Sequence, residues 1–398
     1  MAARRLRLAA GLFAVVALVA ACGSDSKTTT SSGSTAASGG GKTTYALAFV
    51  GPLTGPNANL GINPRDGALV AIKEANDAGG DITFELKQFD TQGDPAQAPT
   101  VKDKYINDDS ILGVVGPVFS GETKAVLQSF EDAPLVMVSP SATNVDLPTV
   151  VPNSKSFHRI VPDDNVQATG VTAYVTKKLK ATSVFYIHDN AEYGKGLAEG
   201  TQKSLEAAGV TTAGIDAIDP NAQDYSAAVN KANAANPDLV YYGGYYSQAG
   251  RLAKQLKDAG LDAVFVSGDG VLDPGFIQSG GAGAEGAQLT CACKLATEDA
   301  PGALGTFAKA FKALVNKDAG TYATEGYDAA KLLIEGIKKG NTTREKLRDY
   351  VNNIGTYTGA GKDIAFEANG NIKAGGVFVY EVKSGKLSLL GTTDELSK

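Results

Sequence analysis

Histidine and cysteine are scarce in this chain: two histidines, His158 and His188, and three cysteines in 398 residues. Two cysteines and two scattered histidines do not make the closed nitrogen–sulfur set of a structural metal site. No metal and no cofactor are therefore expected. Positive charge is also in short supply, with 37 basic residues against 43 acidic ones. Nucleic-acid binding needs a basic patch, so that class is excluded. Long apolar runs are absent too. The most apolar stretch, Leu8 to Ala21, is shorter than the roughly 20 residues a bilayer span requires.

Catalytic motifs are missing as well. Gly281-Ala282-Gly283-Ala284-Glu285-Gly286 fits the spacing of a dinucleotide loop, but such a loop follows a strand and opens a helix. Here a helical stretch precedes it and a strand follows. Gly39-Gly40-Gly41-Lys42-Thr43 lacks the first glycine and the leading strand of a phosphate loop. Ser120 is not flanked by the glycines of a nucleophile elbow. His188 stands near a strand end without an identifiable nucleophile or orienting acid. No catalytic residue is assigned.

What is present begins with a leader. Arg4, Arg5 and Arg7 precede the apolar run, which ends Leu18-Val19-Ala20-Ala21-Cys22. Small residues before Cys22 resemble a bacterial lipobox, whose cysteine is diacylated and becomes the mature N-terminus. Residues 1–21 then read as a lipoprotein signal peptide. Residues 22–42 are nearly all Ser, Thr, Gly and Ala; they cannot bury enough surface to order themselves and read as a flexible tether. Loss of the leader removes three arginines and no acid, so the formal charge moves from −6 to −9. The expected location is the outer face of the cytoplasmic membrane, lipid-anchored. In that oxidising compartment Cys291 and Cys293 are candidates for a disulfide. Two strand residues span roughly 6.6 Å, so the strand would have to bend to allow it.

From Thr43 onward short apolar strands alternate with amphipathic helices. Tyr45–Val50, Ile82–Leu86, Leu112–Val115 and Leu135–Val138 read as strands, with a helix from about Asp66 to Gly79. A second set starts near Pro162: Ser183–Ile187, Leu239–Tyr242 and Ala263–Val266, with a helix over Gln248–Gly260. This spacing predicts α/β structure with parallel sheets, and two such blocks predict two similar lobes.

Ligands of open parallel sheets bind beyond the carboxyl ends of the strands. Those ends carry Ser120 and the stretch Ser139–Asn144 in the first block. In the second block they carry Tyr193, Tyr245 and Asp269. Hydroxyls stand on one side, tyrosines and an acid on the other. A buried carboxylate needs several fixed donors, which hydroxyls and helix N-terminal amides provide. A helix is predicted from Gly121 to Ala133, just after Ser120. An ammonium needs a carboxylate, and Asp269 is the acid at the facing ends. The pattern suggests two lobes gripping opposite ends of one small zwitterion. Tyr241, Tyr242 and Tyr246 are assigned to core or rim.

From Thr43 to the C-terminus the chain resembles the extracellular substrate-binding proteins of branched-chain amino-acid ABC transporters, of the type I periplasmic-binding fold. The stretches "GPLTGPNANLG", "GVVGPVFSGETKAV", "LVMVSPSATN", "FHRIVPDDNVQATG", "IHDNAEYGKGLAEG" and "DLVYYGGYYSQAGRLAKQLKDAGL" carry the likeness. It implies two lobes joined by crossover hinges, with a ligand cleft between them. The first would comprise residues 43–162 plus 293–372, and the second 163–292 plus 373–398. It also implies a small-molecule ligand, a membrane permease as partner, and a monomer.

The same resemblance assigns Ser120 to the ligand carboxylate. Ser141, Ala142 and Thr143 fall in the stretch that contacts the charged head, Ser141 by its backbone. Tyr193 and Tyr245 would close over the ligand, and Asp269 would pair with the ammonium. Leu60, Phe119 and Tyr322 would meet the ligand side chain. Two departures stand out. Asp269 is a methylene shorter than the family's glutamate, and Leu60 replaces an aromatic wall. Either would shift selectivity toward a larger apolar or aromatic amino acid, or another zwitterion. A ligand sensor of the same fold shares every one of these features, and an amide hydrolase is the remaining alternative.

Overall fold

Residues 42–398 are described by the computed structural model; the leader, Cys22 and all of the tether before Lys42 lie outside them. Fourteen strands occur among the described residues. Five belong to a first sheet: β1 Thr43–Gly51, β2 Ile82–Asp90, β3 Ile111–Val115, β4 Val136–Ser139 and β5 Phe157–Arg159. Their order is β2-β1-β3-β4-β5 and every pairing is parallel. All five residues of β3 and all four of β4 are buried. Covered on both faces, central parallel strands are apolar throughout instead of alternating.

A second sheet follows: β6 Ser183–His188, β7 Thr211–Ala217, β8 Leu239–Gly243, β9 Val264–Ser267 and β10 Gln288–Cys291. A two-stranded piece, β11 Tyr357–Thr358 with β12 Asp363–Ile364, stands apart. The last strands, β13 Phe378–Lys383 and β14 Lys386–Thr392, form a hairpin that joins the second sheet antiparallel to β10. The sheet order is β14-β13-β10-β9-β8-β6-β7. The molecule is thus two α/β lobes dominated by parallel sheet.

Several elements depart from the sequence reading. The first helix runs Asn59–Asp77, well ahead of Asp66, with Pro64 in its second turn. Proline there has no amide to bond the carbonyl of Leu60, four residues back, so the helix forgoes one bond in its second turn. Strands β5, β7, β13 and β14 were not anticipated. β7 is partly exposed, and β14 is a half-exposed edge strand, so neither shows the solid apolar run of its neighbours. The helix Tyr246–Asp258 begins two residues before its predicted start; it buries Tyr246, Ala249, Leu252, Ala253 and Leu256 on one face. Tyr241 and Tyr242 are fully buried, in the core.

The chain leaves the first sheet after Arg159 and the second after Cys291. Lys362 ties these crossings together, donating to the carbonyls of Ile160 and Ala292 (3.3 Å each) and pairing with Glu325 at 3.2 Å. Cys291 and Cys293 are joined by a disulfide at the second crossing, with Cα atoms 4.9 Å apart. β10 ends at Cys291, so the backbone is free to turn there.

Candidate functional site

The first wall of the cleft grows from the ends of β3 and β4. At Gly116 φ is +118°, and a Cβ would lie 2.2 Å from the Val50 carbonyl oxygen. Only glycine allows this approach. It carries Pro117, Val118 and Phe119 over the end of β1 and delivers Ser120 as the first residue of the helix Ser120–Asp132. Phe119 takes the N-cap position without a side-chain cap, so the opening turn keeps its amide donors.

The stretch after β4 is fastened to that loop. Ser139 Oγ accepts from the amides of Ser141 (3.4 Å) and Ala142 (3.0 Å) and donates to the Pro117 carbonyl (2.7 Å). The Ser141 hydroxyl donates to the Val118 carbonyl at 2.7 Å. Its proton is therefore used within the protein, and only its lone pairs face outward. Ser120 Oγ accepts from the Asn144 amide (3.2 Å), which leaves its own proton to donate. Asn144 Oδ1 accepts from the Asp146 amide, a local turn, while its amide nitrogen reaches across to the Glu192 carbonyl at 3.0 Å.

Beneath this loop lies Arg159, fully buried. Its guanidinium donates to the carbonyls of Ala142 (3.1 Å) and Asn144 (2.7 Å), to Asn371 Oδ1 (2.8 Å), and pairs with Asp163 at 3.5 Å. By holding the carbonyls on one side it fixes the orientation of the whole stretch. Sequence reasoning passed over Arg159, although "FHRIVPDDN" sets it four residues before Asp163.

The second wall is built from β6, β8 and β9. Gly194 and Gly243 face each other so closely that a Cβ on Gly243 would lie 2.0 Å from the Gly194 carbonyl oxygen. The helix Glu192–Ala207 thereby packs against β8 and presents Tyr193 from its first turn. Tyr245 occupies the N-cap position of the helix Tyr246–Asp258. Asp269 follows β9 and opens a short turn, Asp269–Val271. The Tyr193 hydroxyl donates to Asp269 Oδ1 (2.8 Å) and accepts from the Gly270 amide (3.1 Å). A second tyrosine, Tyr322, donates to Asp269 Oδ2 from the other side. Tyr322 is held at φ +66°, an uncommon and strained setting for a bulky residue. Burial pushes the Asp269 carboxyl above its ordinary range, and the two hydroxyls oppose that rise.

Every predicted contact residue except Ala142 and Thr143 lines one cavity. Val118 and Gly270 complete it. Ala142 and Thr143 are fully buried behind it. The walls touch across the cleft: Phe119 stacks on Tyr245 with centroids 4.3 Å apart, Asn59 donates to Asp273 (3.1 Å), and Lys124 pairs with Glu192 (2.7 Å). Glu122, in the helix turn behind Ser120, is completely buried and accepts from the Thr91 hydroxyl at 2.6 Å. Burial pushes its carboxyl up to about 8, so it is mostly neutral at pH 7. The first wall thus offers donors without a competing negative charge, and the second offers a carboxylate. Among the described residues no group of three or more His, Cys, Asp or Glu is placed to hold a metal ion.

Residues 44–386 match a family model described as periplasmic binding protein. The leucine-, isoleucine-, valine-, threonine-, and alanine-binding protein of Pseudomonas aeruginosa is 32% identical over 343 residues, covering 85% of this chain and 90% of that one. A Leu/Ile/Val-binding protein homolog of Brucella melitensis is 34% identical over 300 residues, or 75% and 79% of the two chains. Among solved structures, the branched-chain amino acid transporter substrate-binding protein of Streptococcus pneumoniae, in complex with isoleucine, superposes with a TM-score of 0.79 at 25% identity. It covers 87% of this chain and 99% of that one. Matched across most of its length by the family model and by relatives above 30% identity, the chain belongs to the periplasmic binding protein family.

Proposed function

We propose that this protein is the solute receptor of an ABC permease, capturing one hydrophobic L-amino acid between its lobes. The observation that carries this reading is the polarity of the cavity. Ser120 and a helix N-terminus stand at one pole, Asp269 at the other, and Leu60 and Phe119 supply apolar walls. A zwitterion with a modest apolar side chain satisfies all three features at once. Ligand contacts made from both walls favour the closed arrangement over any open one. No bond is made or broken, so no catalytic residue is assigned.

On this proposal residues 43–162 plus 293–372 form the first lobe, and 163–292 plus 373–398 the second. The division is supported by sheet membership, since β1 to β5 lie before Arg159 while β13 and β14 return to the second sheet. Cys22 would carry the lipid that holds a monomer at the outer face of the membrane, and the tether would give it reach to the permease. No helix among the described residues is long and apolar enough to cross a membrane.

Titration calorimetry with branched-chain, aromatic and small apolar L-amino acids tests the ligand class. Heat of binding is expected for at least one branched-chain member. A flat response to the whole panel would refute the amino-acid reading. Mass spectrometry of ligand released from the purified chain would identify the preferred member directly.

A further inference from the structure

Behind Thr143 lies a cluster of polar atoms that the roles above do not use. Thr143 Oγ1, Asp164 Oδ2 and Gln167 Oε1 are all buried, and none has a hydrogen-bond partner within the protein. Buried polar groups are almost always paired, so three orphans together call for an explanation. They are held as one unit. The Asp164 amide donates to the Thr143 carbonyl (3.0 Å), and Gln167 Nε2 donates to Asp164 Oδ1 (2.9 Å). Asp164 is the first residue of the helix Asp164–Tyr174, and Asp163 caps that helix. The capping role is thus filled by Asp163, and Asp164 is left facing inward.

Its surroundings belong to the ammonium pole. Asp269 is its nearest acidic influence, and Arg159 is the cation within reach. The phenols of Tyr193, Tyr241, Tyr245 and Tyr322 all lie within electrostatic range of it. Two buried carboxyl groups side by side cannot both ionise cheaply. A ligand cation changes that balance. An ammonium carries three N–H donors and no acceptor, so it needs more acceptors than Asp269 alone presents.

We propose that Asp164 is a second acid of the ammonium pole, which ionises when an α-amino ligand binds, orients the Thr143 hydroxyl and adds its charge to that of Asp269. The proton leaves to solvent, so capture of the ligand is coupled to release of one proton. This inference rests on the amino-acid reading and goes beyond it, because it assigns a residue and a pH dependence. Burial first, and then the Asp269 carboxylate, push Asp164 up to about 8; Arg159 and Gln167 offset this only in part. Asp164 is therefore mostly protonated at pH 7 without ligand. The sign follows. Affinity for an α-amino acid should rise with pH by up to tenfold per unit below about pH 8, then level off.

The test is calorimetry on the full chain with L-leucine, and with isocaproate, which is leucine without its amine. In two buffers of different ionisation heat at pH 7, leucine binding should release close to one proton. Asp164→Asn keeps the size and removes the charge. It should weaken leucine at least tenfold at pH 8 and flatten the pH dependence, while changing isocaproate affinity less than twofold. Unchanged leucine affinity and slope in the variant would overturn the inference. So would zero proton release by the unaltered chain, a measurement that does not depend on how the variant folds. Failure of the unaltered chain to bind any α-amino acid would instead remove the amino-acid reading, and this inference with it.

Discussion

On the proposed reading, the two walls of the cleft meet opposite electrostatic demands with opposite means. The first wall stabilises negative charge without a facing cation. Ser120, the amides of a helix opening and a loop held from behind by Arg159 do this work, and Glu122, in the helix turn behind Ser120, is kept mostly neutral by burial. The second would meet positive charge with the Asp269 carboxyl group, braced by Tyr193 and Tyr322. Neutral dipoles fixed in place suit an anion that must later leave, because they need no reorganisation and hold no excess charge when the site is vacated. A carboxylate is indispensable for the ammonium, since hydroxyls alone return too little for its desolvation.

Substitutions should separate the poles. Asp269→Asn removes the charge opposite the ammonium; truncating one partner of a buried charge pair costs about 2–5 kcal/mol, or 30-fold and more in affinity. Calorimetry should show this loss for leucine and little change for isocaproate. Ser120→Ala removes a donor to the carboxylate and should cost about 1.5–3 kcal/mol, roughly 10- to 100-fold. Here both ligands should weaken equally, since both carry the carboxylate. If Ser120→Ala spared isocaproate, the assignment of poles would be wrong.

Contacts at the rim should matter less. Lys124 and Glu192 pair across the cleft while remaining partly exposed, and such pairs give about 0.2–1 kcal/mol. Lys124→Ala should therefore lower affinity by no more than about fivefold, and the difference should shrink in high salt. Glu122→Gln should leave affinity within about twofold and change stability instead. The folded pKa of Glu122 is raised to about 8 from an ordinary 4.5, so its cost to the fold grows between those values and then levels. Thermal melts should show a gain of a few degrees for the variant at pH 8.5 and about one degree or less at pH 4.5. An equal gain at both would mean that Glu122 is not held neutral.

Much of the site was legible because strand ends and residue chemistry are local properties. Val136, Met137 and Val138 announce a buried strand, and Ser139 to Asn144 announce its end. The roles of the hydroxyls were not legible. Ser141 differs from a simple ligand donor only because Val118, more than twenty residues earlier, offers a carbonyl 2.7 Å away. Arg159 and Asp164 were overlooked for the same reason: a charged residue near a chain turn reads as surface until the chain around it is folded. β14 escaped because an exposed edge strand lacks the apolar signature of its central neighbours; β13, with Val379, Tyr380 and Val382 buried, carries that signature and was passed over.

By itself the sequence determined the alternation of strands and helices, the parallel sheets, and the kinds of groups available at the strand ends. Periodicity and side-chain chemistry are set by neighbours along the chain. Only the tertiary structure decided which groups point into the cavity, which are used up within the protein, and which lie buried without a partner. Those outcomes depend on contacts such as Tyr193 with Asp269, 76 residues apart within one wall, and Tyr322 with Asp269, 53 apart, which exist only once distant parts of the chain are folded together.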